Sequence, residues 1–182
     1  MHGMDDIVRQ ALKKWPNVPH CYGWLALDAR GDWYMRDDRT QAAGLFPQVK
    51  GSRILHDKLR EFIHRNYTCD QTGCWFFQNG PQRVYVELEA APWVWRLHQT
   101  EAAEVNIVSH TGRPAQFESA WLDEQGRLFL AADLGLGLVH TLDMELASRV
   151  VERGAWFPLE ASFDTLPQRF RYRLKPVAEQ TR

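Results

Sequence analysis

The stretch GWLALDARGDWYMRDD, Gly23–Asp38, decides how this chain is read, because ESAWLDEQGRLFLAAD, Glu118–Asp133, repeats its pattern. With Gly31 laid on Gly126, Leu27 falls on Leu122, Asp28 on Asp123, Tyr34 on Phe129 and Met35 on Leu130. In each copy an apolar run ends in Leu-Asp, two residues and a glycine follow, and an apolar pair resumes after one polar residue. That is the pattern of a β-hairpin whose turn needs a positive φ at the glycine.

Outward from the first copy, DDIVRQALKKW places Ile7, Val8, Ala11, Leu12 and Trp15 at helical spacing, acids leading and lysines trailing, with Pro16 as the stop. After the hairpin comes a loop, TQAAGLFPQVKG, and then a helix that Ser52 caps, with Ile54, Leu55, Leu59, Phe62 and Ile63 as its stripe. CWFFQNGPQRVYVELE reads as two strands about Asn79-Gly80-Pro81, and WVWRLH and EVNIVSH as two more. The second hairpin leads into a loop, DLGLGLVHT, and a helix carrying Leu142, Leu146, Ala147, Val150 and Val151, ended by Gly154. The tail RFRYRLK alternates strictly and reads as a last strand. The expectation is one α+β domain over residues 1–182, with antiparallel sheet and three helices. It comprises an N-terminal helix at 4–15 and two similar hairpin-loop-helix halves at about 20–97 and 104–175.

The order D-x-R-G-D-W-Y-M, the helix ILHDKLREFI, then GCWFF and RVYVELEAAPWVWRL resembles a family of uncharacterised bacterial domains of unknown function. The similarity runs from Trp24 to Phe157. It implies an α+β fold of two intertwined repeats and carries over no catalytic residue. Glu89-Ala90-Ala91-Pro92-Trp93 stands where the family pattern has an acid, Ala, Pro and Phe, and this chain opens with an extra helix.

The composition excludes several classes of function. Lys and Arg number 22 against 23 Asp and Glu, a net charge of -1, so no global field draws the chain to nucleic acid. The longest uncharged apolar run, around Leu134–Val139, is far short of the roughly 20 residues a bilayer span needs. Acids near the N-terminus argue against an export signal, and three cysteines cannot all pair within one chain; both point to the cytoplasm. There is no G-x-S-x-G and no H-E-x-x-H, and Gly135-x-Gly137 lacks the remainder of any phosphate-loop pattern.

Four sets of residues remain as candidates. Cys69 and Cys74, with His20, Cys21 and His64, carry the ligand types of a tetrahedral zinc site, but without a second close pair they read better as ordinary thiols and imidazoles. His56, Arg60 and His64 recur along one helix face, with the two histidines about 12 Å apart by helix rise, too far to share a metal. Arg169, Arg171, Arg173 and Lys175 would line one face of the terminal strand, either to bind an anion or RNA or to protect a sheet edge. Trp33, Tyr34, Trp75, Phe77, Tyr85, Trp93 and Trp95 come from neighbouring strands, more rings than one sheet face hides, which suggests a pocket, a homodimer contact or a partner surface. The leading expectation is a non-enzymatic module without cofactor that binds a small molecule or protein through those aromatics. A metal-dependent hydrolase built on the Cys and His residues is second, and an anion or RNA binder third.

Overall fold

The computed structural model describes residues 4–179. The chain forms two compact units, one built from Asp32–Glu89 with the segments up to Asp28 and from Tyr172 onward, the other from Ala90–Arg171 with Ala29–Gly31.

In the first unit, α1 (Asp6–Lys14) keeps Asp6 in its first turn and Lys13 and Lys14 in its last, and buries Val8. The expected hairpin follows as β1 (Cys21–Leu27) and β2 (Trp33–Met35). The segment read as a loop holds a short helix, α2 (Asp38–Ala43), which Asp37 caps by accepting from the Thr40 N–H at 2.9 Å. It also leads to a two-residue strand, β3 (Ser52–Arg53), beside β2. Ser52 therefore caps no helix; His56 does, its Nδ1 accepting from the Leu59 N–H at the start of α3 (Asp57–Arg65). Three strands close the unit: β4 (Tyr67–Cys69), β5 (Trp75–Asn79) and β6 (Gln82–Leu88). The sheet order is β3-β2-β1-β6-β5-β4.

The second unit contains β7 (Trp93–Gln99), β8 (Val105–Ser109), β9 (Pro114–Ala115), β10 (Phe117–Leu122), β11 (Leu128–Ala132) and β12 (Gly135–Val139). A 3-10 turn at Thr141–Asp143 leads into α4 (Met144–Glu152), and β13 (Leu159–Glu160) and α5 (Leu166–Arg169) follow. The order is β13-β10-β11-β12-β7-β8-β9. Among the described residues five α-helices thus replace the expected three, and the sheets are not antiparallel throughout: β1 with β6, β7 with β12 and β10 with β13 run parallel.

Both sheets share one plan, two three-stranded meanders joined where the first strand of one lies parallel to the last strand of the other. That plan matches β1-β2-β3 with β7-β8-β9, not with the echoed β10-β11-β12. The echo marks something more local. Asp28 Oδ1 accepts from the Asp32 N–H at 2.9 Å, and Asp123 Oδ1 accepts from the N–H groups of Gln125 and Arg127 at 3.0 and 2.8 Å. Gly31 and Gly126 take φ of 84° and 75°. The same turn occurs at three further hairpins. Asp70 accepts from Thr72 and Cys74 with Gly73 at φ 85°, Ser109 Oγ accepts from Thr111 and Arg113 with Gly112 at φ 86°, and Thr100 Oγ1 accepts from Glu104 with Ala103 at φ 60°. In all five, the leading residue's N–H also donates to the carbonyl four residues on.

Two further readings are overturned. The DLGLGLVHT segment is strand β12, and its Gly137 makes room for Trp95 of the parallel neighbour β7: a Cβ there would lie inside the indole ring. The tail forms no strand. Pro167 lies in the first turn of α5, which takes in Arg169; Arg171 then adopts φ 55°, and Tyr172 turns into the core. The Arg169 guanidinium lies over the Trp121 ring at 4.6 Å, while Arg173 and Leu174 bond by backbone to Gly73 and Leu88, so the four basic residues share no strand face.

Candidate functional site

The first sheet carries a pocket on each face, and strand alternation sorts their chemistry. Cys21, Val84 and Phe77 are register partners across β1, β6 and β5 and form one row. A bulge follows Cys21, with Gly23 at φ 83°, and brings Trp24 and Leu25 into the same neighbourhood. Met35, Ile54 and the α3 stripe residues Leu59 and Ile63 complete the walls of a cavity of about 270 Å³, with Asn79 as the polar group of its lining.

On the opposite face, the alternate residues Tyr22, Arg83 and Tyr85, with His20, line a second cavity of about 380 Å³. Tyr22 stacks on Tyr85 with centroids 4.7 Å apart and planes 9° from parallel, and His20 meets Tyr85 edge-on at 5.8 Å. Asp70 is fixed by its turn and accepts the Tyr85 hydroxyl on Oδ2 at 2.9 Å. Burial works against its carboxylate, but hydrogen bonds from Thr72, from the Cys74 N–H and from Tyr85 outweigh it and lower its pKa. The Tyr85 phenol is pushed up to about 12 by burial and by Asp70, against a lowering contact from Arg83. Burial, with Arg83 nearby, lowers His20, which keeps its ring neutral.

The candidate aromatics do not gather on one surface. Trp33 is buried, its Nε1 donating to His64 Nε2 at 2.8 Å, and Trp75 is buried against Tyr67. Trp93 and Trp95 are sealed in the other unit, donating to the carbonyls of Leu134 and Leu130 at 2.9 Å each. Phe77 lines the apolar pocket and Tyr85 the polar one; Tyr34 is half-buried beneath Lys50. The cysteine and histidine set is equally dispersed. Cys21 faces the apolar pocket and Cys74 and His20 the polar one; Cys69 is exposed and His64 binds Trp33. Among the described residues no three His, Cys, Asp or Glu side chains are placed to hold a metal. Burial raises the pKa of Cys21, which holds it as a thiol at neutral pH.

A family model described as "DUF2944: Protein of unknown function (DUF2946)" matches residues 4–178. The chain belongs to this family. No curated protein matches it. Two crystal structures are similar in fold. A DUF1285 family protein from Silicibacter pomeroyi DSS-3 is 12% identical, with 81% of this chain and 85% of that one covered and a TM-score of 0.51. A DUF1285 family protein from Shewanella baltica OS155 is 14% identical, with 69% of this chain and 91% of that one covered and a TM-score of 0.48. In this DUF2944 member no described helix is long and apolar enough to cross a membrane.

Sequence reasoning missed most of the apolar lining. Leu59 and Ile63 were legible as a helix stripe, and alternation puts Leu25 on the face of Cys21, but Trp24 joins that lining only through the bulge after Cys21, which strict alternation does not anticipate. A third concavity, about 490 Å³, lies in the other unit beside Asp123, Glu124 and Glu160. Two of those carboxylates are already engaged, Asp123 by its turn and Arg127, and Glu124 by the Phe163 N–H at 2.8 Å.

Proposed function

We propose that this DUF2944 member is a non-catalytic binding module whose ligand is a small apolar molecule held between α3 and the first sheet. The observation that carries the reading is the lining of the 270 Å³ cavity, aliphatic and aromatic apart from Asn79 and the Cys21 thiol. Ligand sites of this kind are apolar enclosures with a few polar groups that fix orientation, and Asn79 fits that role. At its lining Met35 is 47% and Leu59 39% exposed, apolar surface that a ligand would remove from water. The raised Cys21 pKa favours a packing role for that thiol over a nucleophilic one.

The test is a fluorescence titration with the neutral apolar probe N-phenyl-1-naphthylamine. Saturable one-to-one binding is expected, weakened about tenfold by Met35→Glu, which brings a charge to the lining, and abolished by Cys21→Phe, which fills the cavity. Saturation unaffected by both substitutions, in variants whose unfolding midpoints match the parent, refutes the reading.

A further inference from the structure

The polar pocket on the opposite face of the same sheet has a different chemistry. We propose that it binds a small organic anion, whose carboxylate or phosphate group is recognised by Arg83 and Arg173.

Arg83 and Arg173 both line the 380 Å³ cavity, and among the described residues neither has a carboxylate within ion-pair distance. Arg83 is nevertheless held in place: its guanidinium lies 4.4 Å over the Phe76 ring, and Nη1 donates to the Tyr85 hydroxyl at 3.3 Å. A guanidinium held in place and without a direct carboxylate partner is suited to a planar or tetrahedral oxyanion, since its fork of donors loses little entropy on binding.

Two acids share the cavity, and they differ in kind. Asp70 is spent: Oδ1 accepts from the Thr72 N–H, the Thr72 hydroxyl and the Cys74 N–H, and Oδ2 from Tyr85. Its role is to fix Tyr85 and, through it, Arg83. Glu179 lies on the exposed C-terminal segment and has no such bonds among the described residues, so it competes with an incoming anion without being part of the fold.

The remaining walls set the size and character of the ligand. Tyr22 and Val177 give it apolar contact, and His20 is a neutral hydrogen-bonding group. The cavity falls within the range of about 300–1,000 Å³ usual for metabolite sites, which leaves space for an organic body as well as the anionic head. Neither face depends on the other: the apolar cavity uses Phe77 and Val84, this one Arg83 and Tyr85.

Inorganic phosphate and benzoate serve as the two probes, titrated separately at constant ionic strength with amide NMR shifts followed over residues 20–22, 70–74, 83–85 and 173. Saturable one-to-one shifts confined to those residues are expected from at least one probe, and the tighter of the two assigns the ligand to phosphoesters or carboxylates. Arg173→Gln, at an exposed position, is expected to weaken binding about tenfold, and Glu179→Gln to tighten it. No saturation by either probe below about 50 mM, or affinities unchanged in both variants, overturns the proposal. Because N-phenyl-1-naphthylamine carries no charge, its binding or failure to bind bears only on the apolar pocket.

Discussion

Acid should unfold this protein through His64. Its Nε2 accepts the Trp33 indole N–H at 2.8 Å, a bond that only the neutral imidazole can make, and burial with Arg60 nearby lowers its pKa from 6.5 to about 4. The unfolded chain binds the proton near 6.5 and the folded chain near 4, so between those values the unfolded state holds more protons. Stability is therefore complete above pH 6.5 and is lost as pH falls toward 4. With each pH unit of difference worth about 1.4 kcal/mol, the loss is about 2 kcal/mol between pH 7 and pH 5 and about 3 kcal/mol by pH 4. Other groups also respond to acid, among them Asp70 and Asp143, whose pKa values lie below the ordinary carboxylate value. The measurement is therefore differential: urea midpoints of the parent and of His64→Gln, taken from pH 8 to pH 4. The parent is expected to lose about 3 kcal/mol more than the variant over that range, with the His64 ring proton titrating near 4 by NMR. Parallel pH profiles in the two proteins, or a His64 titration near 6.5, would refute the reasoning.

Two other perturbations probe the packing. Gly137→Ala drives a methyl into the fully buried Trp95 ring, which the Leu130 carbonyl holds through Nε1; a loss of about 3 kcal/mol or more is expected in chemical unfolding. A midpoint within experimental error of the parent would mean that β12 and β7 are not packed in this register. Arg36→Ala leaves Glu87 buried without its 3.7 Å ion pair and removes the donor to the carbonyls of Gly44 and Val49. The expected cost is about 3–5 kcal/mol. Arg36→Lys should recover only part of it, since an ammonium cannot reproduce the fork that reaches both carbonyls.

What the letters conveyed, and what they withheld, follows from the range of each interaction. Hairpins held by adjacent strands were legible: β1 with β2, β5 with β6 and β10 with β11 all stand where alternation and turn residues put them. Parallel pairings were not, because β1 meets β6 across most of the first unit's sequence, and no local pattern marks such a partner. Gly135 and Gly137 read as loop punctuation for the same reason: what requires the second glycine is Trp95, forty-two positions away in sequence and visible only once β7 lies beside β12. The aromatic residues were legible as strand residues but not by destination. Trp33, Trp93 and Trp95 each place an indole N–H on an internal acceptor, which lets rings that seemed too many for one core be buried in two.

The echo between Asp28-Ala29-Arg30-Gly31 and Asp123-Glu124-Gln125-Gly126 suggests, as letters, a duplicated half; as chemistry it is a turn used five times among the described residues. Such a turn needs an acceptor at its first position to take the amides that the reversal leaves unbonded, and a positive φ three residues on, which glycine supplies in four copies and Ala103 in the fifth. Asp70 meets the first need preceded by Cys69 instead of leucine, and Ser109 meets it with a hydroxyl, so neither matches the Leu-Asp pattern while both form the same bonds. The requirement constrains two positions and leaves the rest free. One copy then acquires a further use. The Asp70 carboxylate that closes its turn also receives Tyr85, and Tyr85 steadies Arg83, so the hairpin turn becomes the fixed wall of the polar pocket. A structural carboxylate already saturated by its own turn is well suited to that place, because it can orient an arginine through a phenol without forming a direct ion pair that would occupy the arginine's donors.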